Sequence, residues 1–411
     1  MTIQFPEKFI KRYQMIIPNF EQFLEILRVP VTPSLRINTL KGPKAEILAM
    51  LGSLELVPIP WYPDGYYVKN RINLGSLASH QQGLIYLQEA ISMLPPIILA
   101  PRPNEKILDL AAAPGSKTTQ LAMLMGNQGL IVANDISKNR LRALISNLKR
   151  LGVINTVVTN YPGQILGTIL PNYFDKVLLD APCSLEGTIR NSPEVLKNWT
   201  ETKIKRLSQR QEALINSAFR TLKPNGILIY TTCTFAPEEN EAVVSYLLKK
   251  YPEIAVCEPI SLSGIKYHSG VNQWQNEVYP EAVKNCLRIY PHDNDTEGFF
   301  IAKIRKVLPT PEYHQTVTYP KTRPRSYDRC MQELLNTLIT NYNISPRFFR
   351  EYPLELKKDT LYLMTKEVKD FQKLKVIYCG YSWAKYSNNK ILVSEDSLRM
   401  LNRLMFNGEN A

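Results

Sequence analysis

Short apolar runs alternate with longer amphipathic stretches through the middle of the chain. Apolar runs of four or five residues between turn residues predict buried strands, and apolar residues at every third or fourth position predict helices. These patterns place strands at 106–110, 130–133, 156–158, 175–179 and 227–231. They place helices near 120–125, 137–151, 200–222 and 237–250. Such alternation predicts an α/β fold with a doubly wound parallel sheet, to which 285–290 and 298–304 add an edge hairpin.

Proline-rich stretches flank this central region and predict domain junctions. Pro95-Pro96 and Pro101-Arg102-Pro103 precede it, and Pro309-Thr310-Pro311 follows it. Because proline deters regular structure, we divide the chain into residues 1–100, 101–308 and 309–411. The first region predicts an α+β fold with strands at 35–40 and 66–68. The third predicts a small α+β module with a helix near 331–340 and strands at 360–364, 376–380 and 390–393.

The charge balance is strongly basic. The chain has 411 residues with 50 Lys and Arg against 37 Asp and Glu, which gives a formal charge of +13. The surplus is spread along the chain rather than gathered in a tail. It suits a polyanion such as RNA, DNA or anionic lipid, although a merely basic solvated surface is equally consistent with charge alone. A hydrophobic content of 44% argues against wholesale disorder.

Membrane and metal roles are not indicated. The longest nearly apolar run, around Met93–Ala100, is far shorter than the ~20 residues that span a bilayer. The N-terminus has charges and a proline where a signal peptide would be apolar. The six cysteines show no CxxC spacing and the four histidines are scattered, so neither a zinc site nor a disulfide framework is expected. We expect a cytoplasmic, metal-free protein that is a monomer.

A small-residue loop follows the first strand of the predicted sheet, where open α/β sheets bind ligands. The loop consists of Ala111, Ala112, Ala113, Pro114, Gly115, Ser116 and Lys117. It is neither a Walker A loop nor a GxGxxG motif. Asp135 lies twenty positions after Gly115, at the end of the second strand, where a carboxylate can accept ribose hydroxyls. This pattern suits an adenosine ligand such as S-adenosylmethionine, although Asp135 could instead cap the following helix.

Two cysteines end neighbouring strands of the predicted sheet. Strand four ends in Asp180-Ala181-Pro182-Cys183, and strand five ends near Cys233. A lone cysteine is commonly a small buried apolar residue, but two at adjacent strand ends should meet in one cleft.

A thiol pair, an acid and a methyl donor suit methylation of cytosine at C5. That carbon is too electron-poor to attack a methyl sulfonium until a thiolate adds at C6. A carboxyl group at N3 stabilises the charge that develops, and a second cysteine can assist release. The tetrapeptide DAPC also differs from the [DN]PP[YFW] motif that is typical of amine methyltransferases. The residues alone do not decide which thiol is the nucleophile.

The chain resembles the Nol/Nop/Sun RNA cytosine-5 methyltransferases over roughly residues 30–305. The resemblance rests on LRINTLK at 35–41, GLIYLQEA at 83–90, AAAPGSKT at 111–118, Asn134-Asp135, LLDAPCS at 178–184, TTCT at 231–234 and PEENE at 237–241. Within the family, the Glu186-Gly187 spacing is most similar to the bacterial ribosomal RNA small subunit methyltransferase F branch. The resemblance implies a Rossmann-like methyltransferase domain and RNA-binding flanking regions, the last of them PUA-like.

The resemblance also implies roles for individual residues. Cys233 would be the nucleophile, Cys183 the release cysteine, and Asp180 would contact both cytosine and the surroundings of S-adenosylmethionine. Lys117 and the loop 111–116 would hold the methionine part of that donor. The implied substrate is small-subunit rRNA, with tRNA as the alternative. A catalytically weak RNA-binding or ribosome-assembly factor is the alternative of another class.

One stretch departs from the family pattern. Where the branch usually has an aromatic residue followed by Asp-Gly-Arg, this chain has Tyr161-Pro162-Gly163-Gln164. Pro162 therefore removes a carboxylate that would touch the adenine. Either the affinity for the donor is reduced, or Asn160 takes the place of that carboxylate.

Overall fold

The computed structural model describes residues 3–70, 73–310, 329–342, 344–371, 373–387 and 390–408. No helix within these ranges is long and apolar enough to cross a bilayer.

The N-terminal region contains, in chain order, α1 (Glu7–Tyr13), α2 (Phe20–Ile26), β1 (Ser34–Ile37), α3 (Lys44–Met50), β2 (Leu56–Ile59), β3 (Tyr62–Val68), α4 (Ala78–Gln81), β4 (Ile85–Leu87) and α5 (Leu94–Leu99). Its four strands form an antiparallel sheet in the order β2-β3-β1-β4.

The central region contains the predicted α/β alternation. Its first part comprises β5 (Lys106–Asp109), α6 (Ser116–Leu124), β6 (Leu130–Asn134), α7 (Lys138–Leu151), β7 (Thr156–Thr159), α8 (Gly163–Ile169), β8 (Phe174–Asp180), α9 (Glu201–Thr221) and β9 (Leu222–Thr232). Its second part comprises α10 (Glu241–Lys250), β10 (Ala255–Glu258), β11 (His268–Ser269), β12 (Gln273–Trp274), β13 (Glu277–Val278), β14 (Leu287–Ile289), α11 (Pro291–Asn294) and β15 (Phe299–Lys306).

The C-terminal region is a smaller α+β unit. It comprises α12 (Arg329–Tyr342), α13 (Phe348–Glu351), β16 (Leu354–Lys357), β17 (Thr360–Leu363), α14 (Lys366–Asp370), β18 (Tyr378–Cys379), β19 (Tyr381–Ser387), β20 (Lys390–Val393) and α15 (Glu395–Gly408). Four of its strands form an antiparallel sheet in the order β16-β17-β19-β20.

The central sheet confirms the doubly wound prediction. Its main path runs β11-β14-β15-β9-β8-β5-β6-β7-β18, and β10 also pairs with β15. The five strands from β9 to β7 are parallel, and β15 runs antiparallel beside β9. The predicted hairpin is present, because β14 pairs antiparallel with β15. Apolar side chains cover both faces of this sheet in two separate buried clusters. The order of the parallel strands brings the ends of β6, β5, β8 and β9 to one edge.

Helix α7 shows how local sequence sets the elements around that edge. The Ser137 side chain accepts a hydrogen bond from the Arg140 amide at 3.4 Å and caps the helix, as predicted. Leucines at 141, 144, 148 and 151 are buried against the sheet. Gly152 ends the helix with φ of +74°, a conformation that favours glycine. Asp135 is therefore not the helix cap.

The Pro95-Pro96 pair does not interrupt regular structure as the sequence predicted. Both residues are buried in the first turn of α5. Proline is tolerated there because the first amides of a helix have no intrahelical partner. The predicted boundary at residue 100 nevertheless falls just after this helix, at Ala100 with φ of +48°.

The strand predicted at 376–380 as part of the C-terminal module belongs instead to the central sheet. Rather than joining the C-terminal sheet, β18 pairs antiparallel with β7, with Tyr378 opposite Val158. Without it, β7 would leave a row of unpaired backbone groups at the sheet edge. The preceding segment also reaches the central region, because the Lys375 amide donates to the Tyr161 hydroxyl at 3.0 Å. The C-terminal chain thus completes the edge of the central sheet.

A buried ion pair joins α10 to β14 and carries a stability prediction. Arg288 donates to both carboxylate oxygens of Glu241, at 2.6 and 2.5 Å, and both side chains are almost fully buried. Glu241→Ala leaves this guanidinium without its counter-charge, and we expect the free energy of unfolding to fall by about 3–5 kcal/mol. Urea denaturation measures this loss. The double variant Glu241→Leu/Arg288→Met should recover most of it, and a fully stable single variant would contradict the assignment.

Candidate functional site

A cavity of about 330 Å³ opens at the carboxyl edge of the central sheet, beside the ends of β6, β8 and β9. Five residues predicted from the sequence line it: Ala111, Asp135, Asp180, Cys183 and Cys233. Eleven other residues line it as well, and they include six to which the sequence assigned no role in the site: Asn134, Arg140, Gly163, Gln164, Arg210 and Leu214. The helices α7, α8 and α9 contribute five of these six, and which face of a helix reaches a cavity depends on tertiary packing.

The two predicted thiols are in contact. The sulfur atoms of Cys183 and Cys233 lie 3.3 Å apart, because β8 and β9 are paired with Asp180 opposite Thr231. The hydrogen bond with Cys233, followed by burial, raises the pKa of the Cys183 thiol well above its ordinary value. Cys183 is 9% exposed, whereas Cys233 is only half-buried. The raised pKa favours the protonated form of Cys183, which can donate a hydrogen bond to the sulfur of Cys233.

Glu186 holds the segments that carry the two thiols. Its side chain is fully buried and accepts hydrogen bonds from Tyr13 (2.6 Å), Trp199 (2.5 Å), the Thr234 hydroxyl (2.6 Å) and the Phe235 amide (3.0 Å). One carboxylate thus joins α1, the chain before α9 and the segment after Cys233. Four donors satisfy a group whose burial would otherwise be costly.

The adjacent glycine is required by close backbone contact. The Gly187 amide donates to the Cys233 carbonyl at 2.9 Å, and its own carbonyl accepts from Gly298 at 3.0 Å. A Cβ atom on Gly187 would lie 2.2 Å from the Gly298 carbonyl oxygen. The Glu186-Gly187 pair noted in the sequence therefore has a physical role, which is to fix the backbone around Cys233.

Asp180 forms a hydrogen-bonded ion pair with Lys117. The Lys117 Nζ atom donates to Asp180 Oδ2 at 2.6 Å, and the lysine side chain is only 8% exposed. Burial alone would lower the pKa of Lys117, but attraction to Asp180 more than offsets it and the pKa is raised. Asp180 lines the cavity and Lys117 does not. The structure thus places Lys117 on the carboxylate, and its predicted contact with the methionine part of the donor stays a prediction.

Asp135 is placed by backbone contacts. Its carboxylate accepts from the Ala113 amide at 3.2 Å and from the Ser137 amide at 2.8 Å, and one oxygen lies 3.4 Å from Arg140. In the loop before α6, the Ala112 amide donates to the Asn134 carbonyl at 2.8 Å. Gly115 lies immediately before α6 and has a φ of +105°. Five residues of the small-residue loop do not line the cavity: Ala112, Ala113, Pro114, Gly115 and Ser116. Their contacts with the methyl donor therefore stay predictions.

Pro162 is exposed and precedes α8, whose first residues, Gly163 and Gln164, line the cavity. The Asn160 amide group donates to the carbonyls of Asp135 (2.7 Å) and Ile136 (2.9 Å). Its nitrogen therefore braces the loop after β6, and Asn160 is not a lining residue. The structure does not support Asn160 as a replacement for the missing carboxylate.

Two buried carboxyl groups near the site were not identified from the sequence. Burial raises the pKa of Asp109, at the end of β5, to about 7, and its carboxylate accepts from the Thr118 hydroxyl at 2.6 Å. Burial also raises the pKa of Glu239 to about 8. Glu239 accepts from the Ser184 amide at 3.0 Å, next to Cys183, and from Gln211 at 2.7 Å. The raised pKa of each carboxyl group results from burial, which the local sequence does not reveal.

The raised pKa of Glu239 predicts a pH-dependent stability. Between its ordinary value of 4.5 and about 8, the folded protein binds a proton that the unfolded chain releases. Stability therefore falls as pH rises through this window, by up to about 1.4 kcal/mol per pH unit for this group. Glu239→Gln resembles the protonated form and should flatten this dependence. Unfolding free energies at pH 5.5, 6.5 and 7.5 test it, and identical slopes in both proteins would contradict it.

The residues present fit an adenosine-based methyl donor. A cavity of this volume is within the range of small-molecule sites, about 300–1,000 Å³. Its lining includes the Asp135 carboxylate, which is predicted to accept ribose hydroxyls, together with Asp180 and the two thiols. No group of three His, Cys, Asp or Glu side chains suited to a metal ion occurs in the described part of the chain.

Two family models match this chain. The family model described as 16S rRNA methyltransferase RsmB/F matches residues 96–305, and the model for the N-terminal domain of 16S rRNA methyltransferase RsmF matches residues 5–90. The chain is 46% identical to a tRNA (cytosine(49)-C(5))-methyltransferase of Pyrococcus abyssi, with 73% of this chain and 96% of that protein aligned.

A second relative and a solved structure extend the comparison. The ribosomal RNA small subunit methyltransferase F of Erwinia tasmaniensis is 40% identical over 76% of this chain, and the aligned part spans 65% of that relative. The structure of NSun6 from Pyrococcus horikoshii with SFG, an analogue of S-adenosylmethionine, is 26% identical with a TM-score of 0.65. It covers 74% of this chain and 99% of that one. The predicted Rossmann-like fold and the cofactor class are thereby confirmed. The chain belongs to the RsmB/F branch of the Nol/Sun methyltransferase family, whose methyl donor is S-adenosylmethionine.

Proposed function

We propose that this protein methylates C5 of a cytosine in small-subunit rRNA and uses S-adenosylmethionine as donor. The single observation that carries the proposal is the pair of thiols 3.3 Å apart in a cavity that Asp180 also lines. Methylation of an exocyclic amine needs no thiol, whereas C5 chemistry needs one nucleophilic sulfur and a group that assists its release.

The residues divide the chemistry as follows. The Cys233 sulfur forms a bond to C6, and the electrons of the C5–C6 double bond make C5 nucleophilic. The Lys117 ammonium donates to Asp180, which lines the cavity, so a proton of Lys117 can pass through the Asp180 carboxylate to N3 as charge develops there. When bound, S-adenosylmethionine supplies the methyl group. The C5 proton then leaves to water, N3 returns its proton to the Lys117–Asp180 pair, the C5–C6 double bond reforms and the Cys233 sulfur is expelled. The Cys183 thiol assists by donating a hydrogen bond to that sulfur as it leaves.

The assignment of the two thiols has support beyond family resemblance. A thiolate that accepts a hydrogen bond is stabilised, and a thiol that donates one is held protonated. Cys183 is the more buried of the pair and its pKa is raised, so it suits the donor role. Cys233 is more accessible to a base entering the cavity. These contacts favour Cys233 as nucleophile and Cys183 as release residue.

A tRNA cytosine is the second candidate substrate. The Pyrococcus abyssi relative, which aligns over 96% of its length, is named for a tRNA position. The match to the N-terminal RsmF model favours rRNA instead. Immature small subunits and total tRNA, each incubated with protein and donor and then sequenced after bisulfite treatment, separate the two. New 5-methylcytosine in tRNA alone would overturn the rRNA assignment.

A catalytically weak RNA-binding or ribosome-assembly factor is the alternative of another class, and Pro162 is the feature that favours it. Transfer of a tritiated methyl group to immature subunits tests it directly. We expect incorporation at saturating donor, with a raised KM for the donor because the adenine-contacting carboxylate is missing. The absence of incorporation into either RNA pool would favour the assembly-factor reading.

The remaining assignments concern the protein as a whole. We propose that residues 1–100 and 309–411 bind RNA on either side of a methyltransferase domain at 101–308, the last region being PUA-like. A cytoplasmic location follows from the proposed substrates. We also propose a monomer, which light scattering of the purified protein tests, since a mass of twice 47.1 kDa would contradict it.

A further inference from the structure

One cation at the cavity has no partner of its own. Arg210, on α9, lines the cavity and its side chain is exposed. Across the ranges that the structure covers, it makes no hydrogen bond or ion pair. By contrast, Arg140 at the same cavity lies 3.4 Å from Asp135 and also bonds to the Ala113 carbonyl. An unpaired guanidinium beside a ligand cavity is available to an anion from outside the protein.

Two further cations continue from Arg210 along the same helix. At 100° per residue, Lys203, Arg206 and Arg210 fall within an arc of about 60°, and this arc adjoins Leu214, which also lines the cavity. We call these three cations the α9 strip. It extends over about 10 Å, roughly two helical turns, from the cavity toward the start of α9. Arg206 is exposed and Lys203 is half-buried.

The strip is free of acidic residues. The two acidic residues of α9, Glu201 and Glu212, lie about 140–160° around the helix from Leu214, on the opposite side. Glu201 is within 3.9 Å of Arg12 on α1, so its charge is engaged there. Neither Lys203 nor Arg206 makes a side-chain hydrogen bond or ion pair within the described residues. The strip therefore keeps its positive charge uncompensated.

We propose that the α9 strip binds the phosphates of the nucleotides next to the target cytosine. The inference rests on the proposed function and specifies how the same site holds its RNA. Successive helical turns present cations 5.4 Å apart, a spacing that a flexible single-stranded backbone can follow. A target base that enters the cavity leaves its neighbouring phosphates at the cavity mouth, where Arg210 lies. Arginine and lysine there position the backbone without reading sequence.

Salt dependence of RNA binding tests the proposal. In the full chain, Arg206→Gln/Arg210→Gln removes two phosphate contacts, and Lys249→Gln/Lys250→Gln in the last turn of α10 removes the same charge away from the cavity. Affinity for a small-subunit rRNA transcript is measured by fluorescence anisotropy between 50 and 300 mM KCl. We expect the α9 variant to lower the slope of log K against log[salt] by about 1.5 and to weaken binding about tenfold at low salt.

Several outcomes distinguish the alternatives. The α10 control and the charge-preserving Arg206→Lys/Arg210→Lys variant should both keep a slope near that of the wild type. Equal slopes for the α9 Gln variant and the α10 control would overturn the proposal. A lower affinity for S-adenosylmethionine, with unchanged RNA binding, would also overturn it and assign Arg210 to the donor. Failure of the wild type to methylate RNA would instead contradict the proposed function, because the binding slopes are measured without catalysis.

Discussion

Cys233→Ala is expected to abolish methyl transfer, with a loss of at least about 10³-fold in kcat, and to form no covalent complex with RNA. The reason is that the thiol left at the cavity, Cys183, is buried and has a raised pKa, so it is a poor nucleophile toward C6. Cys183→Ala is expected to lose turnover as well, but to accumulate a covalent adduct between Cys233 and the RNA. In that variant the sulfur still adds to the base, while the group that assists its expulsion is missing.

Denaturing gel electrophoresis of protein mixed with labelled RNA and S-adenosylmethionine measures both results. A slow-migrating band should appear with Cys183→Ala and not with Cys233→Ala. Cys257→Ala is the matched control, since Cys257 is buried beside Cys286 at 3.7 Å and does not line the cavity. The reverse band pattern would exchange the roles of the two thiols. Adducts with neither variant would remove the support for covalent catalysis.

Asp180→Asn is expected to lower kcat by about 10²–10³-fold. The substitution removes the carboxylate that relays the Lys117 proton to the cavity, and it leaves the buried ammonium of Lys117 without its counter-charge. Lys117→Met should lower kcat by a similar factor, because Asp180 then loses the donor that orients it. Steady-state assays at saturating RNA and donor measure kcat, and equilibrium dialysis measures the affinity for S-adenosylmethionine.

A second variant separates chemistry from folding in this pair. Lys117→Met/Asp180→Asn removes both charges together, so it should recover stability that Asp180→Asn loses, without recovering activity. Unfolding free energies of the three variants test the stability part. If Asp180→Asn lowers donor affinity and leaves kcat unchanged, Asp180 is a donor contact only and the proposed proton transfer at N3 is wrong.

Strand positions around the site could be predicted because buried strands carry continuous apolar runs that end in a polar residue. The runs before Asn134 and Asp180 are of this kind, and the structure ends β6 and β8 at those residues. The contact between Cys183 and Cys233 followed from strand adjacency, since parallel neighbours end at the same edge. Such contacts can be predicted from the sequence when they follow from the order of parallel strands in a sheet.

Other features depend on contacts that local patterns do not contain. The strand β18 has only two residues, and its partner β7 lies more than 200 positions earlier in the chain. The prolines of α5 predict a break in regular structure, but they lie in the first turn of a helix, where proline is tolerated, and the preceding turn sets that position. Arg210 could not be predicted as a cavity residue, because the packing of α9 determines which side of the helix faces the cavity.

Release of tritium from RNA labelled at C5 of cytosine tests the central claim most directly. An rRNA transcript made with [5-³H]cytidine is incubated with the protein and with ¹⁴C-methyl S-adenosylmethionine, and both labels are counted. Methylation at C5 must expel the C5 hydrogen, so we predict one tritium released to water for each methyl group incorporated. Methyl incorporation without tritium release would place the methyl group elsewhere on the nucleotide and contradict cytosine-C5 methylation by this site.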